Sequence, residues 1–219
     1  MGGHKADKNL NPEKLQAVEG GVKYLRSGVR AILSVYWHGG KDMIDWIKDL
    51  SLGDEAVWTS VNHARVNTLG EELTLHFDLP VLLGRTEFPL TRVSLAYAHM
   101  DQDKKLEENI QSAYALEYLR NKFVAQVDLR ICSRLFLNLS CRWNDRVGSY
   151  EKFENGVSTG KTVPYDPYTL LNARLSWNSR NMRIYLEGEN LLNRPYYDHG
   201  NIPQPGIWFK FGISRSFNF

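Results

Sequence analysis

The chain has 219 residues and lacks most of the features that would assign it quickly. It has no apolar run of the ~18 residues that a membrane-crossing helix needs. That says nothing against strands, because alternating residues average to low hydropathy; the mean here is −0.42. Cysteine is scarce, with Cys132 and Cys141 alone, which excludes a disulfide-rich scaffold. The first residues, Met1 to Asp7, lack the apolar core of a secretion signal, so no export address is read from this sequence. Net charge is only +2, too little to imply nucleic acid.

Catalytic signatures are missing too. There is no His-Glu-x-x-His, no Gly-x-Ser-x-Gly and no phosphate-binding loop, so no enzyme activity and no cofactor is expected. His4, His38, His63, His76, His99 and His199 are scattered, and a metal site is not expected from them.

What the chain does have is period-two alternation. Leu171, Ala173, Leu175 and Trp177 oppose Leu170, Asn172, Arg174 and Ser176. Met182, Ile184, Leu186 and Gly188 oppose Arg183, Tyr185, Glu187 and Glu189. Ile207, Phe209, Phe211, Ile213, Phe217 and Phe219 share one face of the last run, interrupted by Arg215. Together with six earlier runs this predicts nine strands, at 14–25, 28–38, 62–79, 90–100, 114–131, 135–149, 167–177, 182–191 and 206–219.

The predicted connections alternate between tight turns (at Arg26-Ser27, at 133–135 and at 178–181) and long loops at 39–61, 101–113, 150–166 and 192–205. The link at 80–89 fits neither class. A turn centred on Ser179-Arg180 pairs Trp177 with Met182, Leu175 with Ile184 and Arg174 with Tyr185. One at Arg26-Ser27 pairs Tyr24 with Val29. A turn at 133–135 sets Cys141 opposite Val127 and Cys132 opposite Phe136, which precludes a disulfide.

Short turns on one rim and long loops on the other are the pattern of outer-membrane barrels. Tyr24 and Trp177 near the short-turn rim, with Trp37, Tyr97 and Trp143 near the other, make two aromatic girdles about an aliphatic band. A soluble β-sandwich binding module also alternates, and a small self-contained outer-membrane barrel, as pore or adhesin, is a further reading. Trp46, Trp58, Tyr150, Tyr165, Tyr196 and Tyr197 are candidate ligand contacts on the long loops. The alternative for each is packing of loop against loop.

The C-terminal fifty residues carry a family resemblance. Tyr168 to Trp177, then Asn190-Leu191-Leu192-Asn193 with Tyr196, then Pro205-Gly206 and a closing strand to Phe219, resemble the C-terminus of TonB-dependent outer-membrane receptors. Asn11-Pro12-Glu13 and the stretch from Val35 to Trp46 look like mid-barrel segments of such receptors.

The resemblance implies an all-β, antiparallel up-and-down meander of about nine strands, the C-terminal segment of a transmembrane β-barrel of about 22 strands. Residues 1–219 would be barrel alone, with plug domain and signal peptide absent. The function implied is import of a scarce nutrient such as a metal chelate, cobalamin or glycan. Arg142, Arg174, Glu187 and Glu189 would face the lumen and plug, their alternative role being ion pairing within the wall. Phe211, Ile213, Phe217 and Phe219 would form the signal read by the barrel-assembly machinery. The implied partners are outer-membrane lipid, that machinery, the missing strands and plug, the TonB energy-coupling complex through them, and a small nutrient.

Overall fold

A computed structural model describes residues 4, 5, 7–105, 109–112, 118–198 and 200–217. His199 and Phe219 lie outside the described residues, as do the side chains of His4 and His63 and the first part of the strand expected at 114–131.

The strands are β1 (His4–Lys5), β2 (Lys14–Arg26), β3 (Val29–Asp49), β4 (Trp58–Asp78), β5 (Leu90–Lys105), β6 (Ile110–Ser112), β7 (Leu119–Arg130) and β8 (Leu135–Arg146). They continue with β9 (Ser149–Glu154), β10 (Val157–Pro164), β11 (Tyr168–Asn178), β12 (Met182–Glu189) and β13 (Trp208–Arg215). A 3-10 turn at Leu50–Glu55 and a helix α1 at Leu79–Leu83 interrupt them.

Nine strands form one meander in the order β2-β3-β4-β5-β7-β8-β11-β12-β13, each antiparallel to its neighbours. β1 adds to β4 in parallel and β6 adds to β3. β9 and β10 make a separate two-stranded hairpin. Among the described residues that hairpin is the only other sheet, and two strands do not make the second layer of a sandwich, so the sandwich reading is set aside.

Pairing turns the alternation into continuous rows. On one face run Tyr24, Ala31, Leu75, Leu95, Ala125, Cys141 and Leu171, each directly opposite the next. On the other face run Leu25, Arg30, His76, Ser94, Gln126, Ser140 and Asn172. A second polar row, Asp78, Arg92, Asp128, Asn138, Arg174, Glu187 and Lys210, alternates in sign over much of its length. Opposite charges at directly paired positions attract across the ladder. The apolar face is bare: Leu186, Phe209, Phe211 and Ile213 are all exposed, as are Val22 and Leu33. Water does not tolerate so large an apolar surface, so this face requires an apolar medium or a partner.

Glycines are placed where rings cross the polar face. An added Cβ on Gly70 would collide with the Tyr36 ring, and one on Gly212 with the Tyr185 ring. An aromatic side chain lying over a glycine on the next strand fills the space that the missing side chain leaves.

Three registers differ by two residues from those the turns predict. Tyr24 pairs with Ala31 because the β2–β3 turn is Ser27-Gly28, with Gly28 at φ +77°. Trp177 pairs with Ile184, and Arg174 with Glu187, because Asn178 pairs with Arg183 across a wider loop in which the Ser179 N–H donates to the Met182 carbonyl (2.7 Å). Cys141 pairs with Ala125 and Arg130 with Phe136; both cysteines are free thiols. Every shift is by two, so each side chain keeps the face assigned to it.

The long loops are corrected more deeply. Expected loop 39–61 is mostly strand, with β3 continuing to Asp49 and β4 starting at Trp58 past a bulge at Gly40–Met43. Loop 101–113 holds the end of β5 and β6. Loop 150–166 is the β9–β10 hairpin, turned by Asn155-Gly156, both at positive φ (51° and 78°). Once a strand leaves the apolar zone it needs no alternation, and cross-strand hydrogen bonds alone carry it.

The link at 80–89 contains α1, with Pro80 in its first turn, the Asp78 carboxylate accepting from the Val81 N–H (3.2 Å) and Gly84 as a left-handed cap. Arg215 interrupts the apolar face only at the rim: it pairs with Met182, and its guanidinium lies 5.0 Å from the Phe217 ring centre.

Candidate functional site

The site forms where three segments that are far apart in sequence meet at the long-loop rim. Asn155-Gly156 folds β9 back onto β10, and Asp166-Pro167 then delivers the chain into β11. The segment after β12 returns over both. Together they gather Tyr150, Tyr165, Tyr168, Tyr196 and Tyr197.

Tyr150 stacks on Tyr197 with centroids 4.8 Å apart and leans on Tyr165 at 5.2 Å. Tyr168 meets Tyr196 at 4.5 Å. Such pairs contribute about 0.5–1.5 kcal/mol each beyond burial. Tyr165 and Tyr168 are buried.

Polar bonds lock the group. The Tyr168 hydroxyl donates to Asp198 (2.9 Å) and accepts from Asn144 Nδ2 (2.7 Å). Arg146 reaches Asp198 at 3.4 Å and lies 5.7 Å from the Tyr165 ring centre. The Gly200 N–H donates to the Tyr165 hydroxyl (2.7 Å). Tyr150, Asp166, Tyr168, Arg194, Pro195, Tyr196 and Tyr197 line a cavity of 240 Å³. Ring faces and phenol hydroxyls, with the Arg194 guanidinium and the Asp166 carboxylate, suit stacking and hydrogen bonding of a polar, partly aromatic solute.

Burial pushes the Tyr150 hydroxyl above its ordinary value, reinforced by Tyr197 and Asp166. Burial also raises Tyr196, opposed by the charge of Arg142 and reinforced by Asp198 and Glu189. A raised tyrosine favours the protonated fold, so stability is retained below the ordinary range and falls as pH climbs through it. We expect the phenolate absorbance that Tyr150→Phe removes, read as the difference from the parent's titration, to appear at higher pH than in free tyrosine. A titration at the free-tyrosine position would contradict the burial.

Of the six predicted ligand contacts, four converge here: Tyr150, Tyr165, Tyr196 and Tyr197. Trp46 and Trp58 do not; they lie on β3 and β4, where Trp46 pairs with Ser60 and Trp58 with His4. Arg142 belongs with the tyrosines, since its charge acts on Tyr196. Arg174 sits 3.9 Å from Glu187 and 3.8 Å from the Tyr185 ring centre. Glu189 pairs with Lys210, so these charges are engaged within the wall. Phe211, Ile213 and Phe217 are exposed on the apolar edge. Tyr168, Asn144, Arg146 and Asp198 are functional candidates that the sequence reading missed. Tyr168 next to Asp166-Pro167 was the available signal, but alternation alone made it an ordinary strand residue.

A family model described as TonB dependent receptor-like, beta-barrel, matches residues 2–191. The chain belongs to this family. TonB-dependent receptors are outer-membrane barrels. No curated protein sequence matches.

Among solved structures, the FrpB iron transporter of Neisseria meningitidis (F3-3 variant) superimposes with a TM-score of 0.71 at 16% identity, covering 99% of this chain and 33% of its own. The copper transporter OprC gives 0.71 at 13% identity, covering 97% and 34%. A mutant of the ferric enterobactin receptor of Pseudomonas aeruginosa gives 0.64 at 18%, covering 94% and 31%. The chain thus spans about a third of the length of these structures.

Proposed function

We propose that this chain is the barrel segment of a TonB-dependent receptor that imports a scarce nutrient, captured at the tyrosine-lined mouth. The convergence of Tyr150, Tyr168, Tyr196 and Tyr197 on one cavity at the long-loop rim, with Tyr165 packed against Tyr150, carries this reading. Among metal chelate, cobalamin and glycan, the metal chelate is favoured, because the similar structures are described as iron, copper and ferric enterobactin proteins.

In a complete receptor, further strands would pair with β2 and β13, each of which has one neighbour in the sheet among the described residues. A plug would meet the charged row from Asp78 to Lys210, and the energy-coupling complex would act through that plug. Phe211, Ile213 and Phe217, with Phe219, would be read by the barrel-assembly machinery.

The test is energy-dependent uptake by cells carrying the complete receptor, offered radiolabelled ferric chelates, cobalamin and oligosaccharides in parallel. Replacing Tyr150 and Tyr197 with alanine together is expected to weaken uptake of the true ligand on the order of tenfold, the equivalent of about 1.4 kcal/mol. Uptake of no class above background, or uptake unchanged by the double substitution, would refute the assignment.

A further inference from the structure

Asn190 and Asn193 both hold positive φ, 49° and 48°. Asn190 is 3% exposed and its side chain is fully used. Its Oδ1 accepts from the Arg194 N–H (2.9 Å), and its Nδ2 donates to the Arg194 carbonyl (2.9 Å) and the Pro205 carbonyl (3.1 Å). The Asn190 N–H donates to Asn172 Oδ1 on β11 (2.9 Å). Asn193 Oδ1 accepts from the Ile207 N–H (3.0 Å), and an added Cβ on Gly206 would strike that oxygen at 2.6 Å.

Two side chains therefore bridge the outgoing and returning roots of the 190–207 loop. An amide side chain carries two N–H donors and a carbonyl acceptor at one end, so it can bond to both sides of a backbone as a peptide group does. Within the loop the Gln204 N–H donates to the Tyr196 carbonyl (3.0 Å), and Tyr197 pairs with Pro203.

We infer that Asn190, with Asn193, is a positioning residue of the tyrosine site: a side-chain clamp that fixes where Tyr196, Tyr197 and Asp198 stand against Tyr150, Tyr168 and Arg146. Its functional meaning rests on the tyrosine cluster being the ligand site. The geometry of the clamp does not.

The competing role is purely local: asparagine would serve only to permit positive φ. Glycine separates the two, since Asn190→Gly keeps the backbone freedom and removes the clamp. The complete receptor, with Cys132→Ser and Cys141→Ala, would carry spin labels at Val157→Cys on the β9–β10 hairpin and Ile202→Cys on the loop. Pulsed electron paramagnetic resonance then reads their separation in outer-membrane vesicles without ligand.

The parent should give a narrow distance distribution. Asn190→Gly should widen it about twofold while the barrel keeps its heat-modifiable electrophoretic mobility, as expected when a loop gains freedom on a folded scaffold. A distribution as narrow as the parent's, or a parent already as broad, overturns the clamp. Should Asn190→Gly not fold, Asn190→Asp, which keeps the acceptor and loses both donors, takes its place with the same outcomes. Failure of both to fold assigns the residue to folding and overturns the proposal. Uptake insensitive to the tyrosines would refute the ligand site and leave this distance result standing.

Discussion

An arginine at Ala125 will destabilise the barrel by about 2–4 kcal/mol, whereas an arginine one residue later, at Gln126, will leave it folded. The two positions are adjacent on β7 but lie on opposite faces. Ala125 lies between Leu95 and Cys141 on the apolar face, in mid-strand. Gln126 lies between Ser94 and Ser140 on the polar face. A guanidinium in hydrocarbon loses its hydration with no partner in reach, while one in the lumen keeps water. Denaturant unfolding of the complete receptor in lipid vesicles measures both. Equal losses at the two sites would overturn the assignment of faces.

Valine at Gly212 will cost about 1–3 kcal/mol through overpacking, because its side chain must enter the space held by the Tyr185 ring. That ring is not free to swing away, since it also carries the Arg174 guanidinium, 3.8 Å from its centre. Combining Gly212→Val with Tyr185→Ser is expected to recover most of the loss. The same unfolding assay reads the cycle, and a double variant no better than Gly212→Val alone would show that the strain lies elsewhere. Gly70 beneath Tyr36 should behave alike.

The nine-strand meander was legible because a two-sided wall forces period two on every strand, and apolar runs such as Leu135 to Trp143 record it directly. Register was legible only to parity. Parity follows from which face is apolar, but the offset follows from the turn, and Ser27-Gly28 reads in sequence much like Arg26-Ser27. The extensions of β3, β4 and β5 were illegible for the converse reason. Beyond Trp37 alternation stops, and Gly39-Gly40 looks like a loop. The β9–β10 hairpin lies within the expected loop 150–166, although its signal is present in Asn155-Gly156, the dipeptide that two-residue hairpins favour. Four of the five clustered tyrosines could be singled out as loop aromatics. Their meeting could not be read, because it depends on Asp198 and Arg146 joining segments 52 residues apart.

The strands are not of one height. β3 and β4 run for 21 residues each, against 12 for β8, a difference of about 30 Å at roughly 3.3 Å per residue. The long-loop rim of this segment is therefore uneven: β3 and β4 carry it outward as one continuous ladder, whereas beyond β8 the chain goes on as the separate β9–β10 hairpin that bears Tyr150.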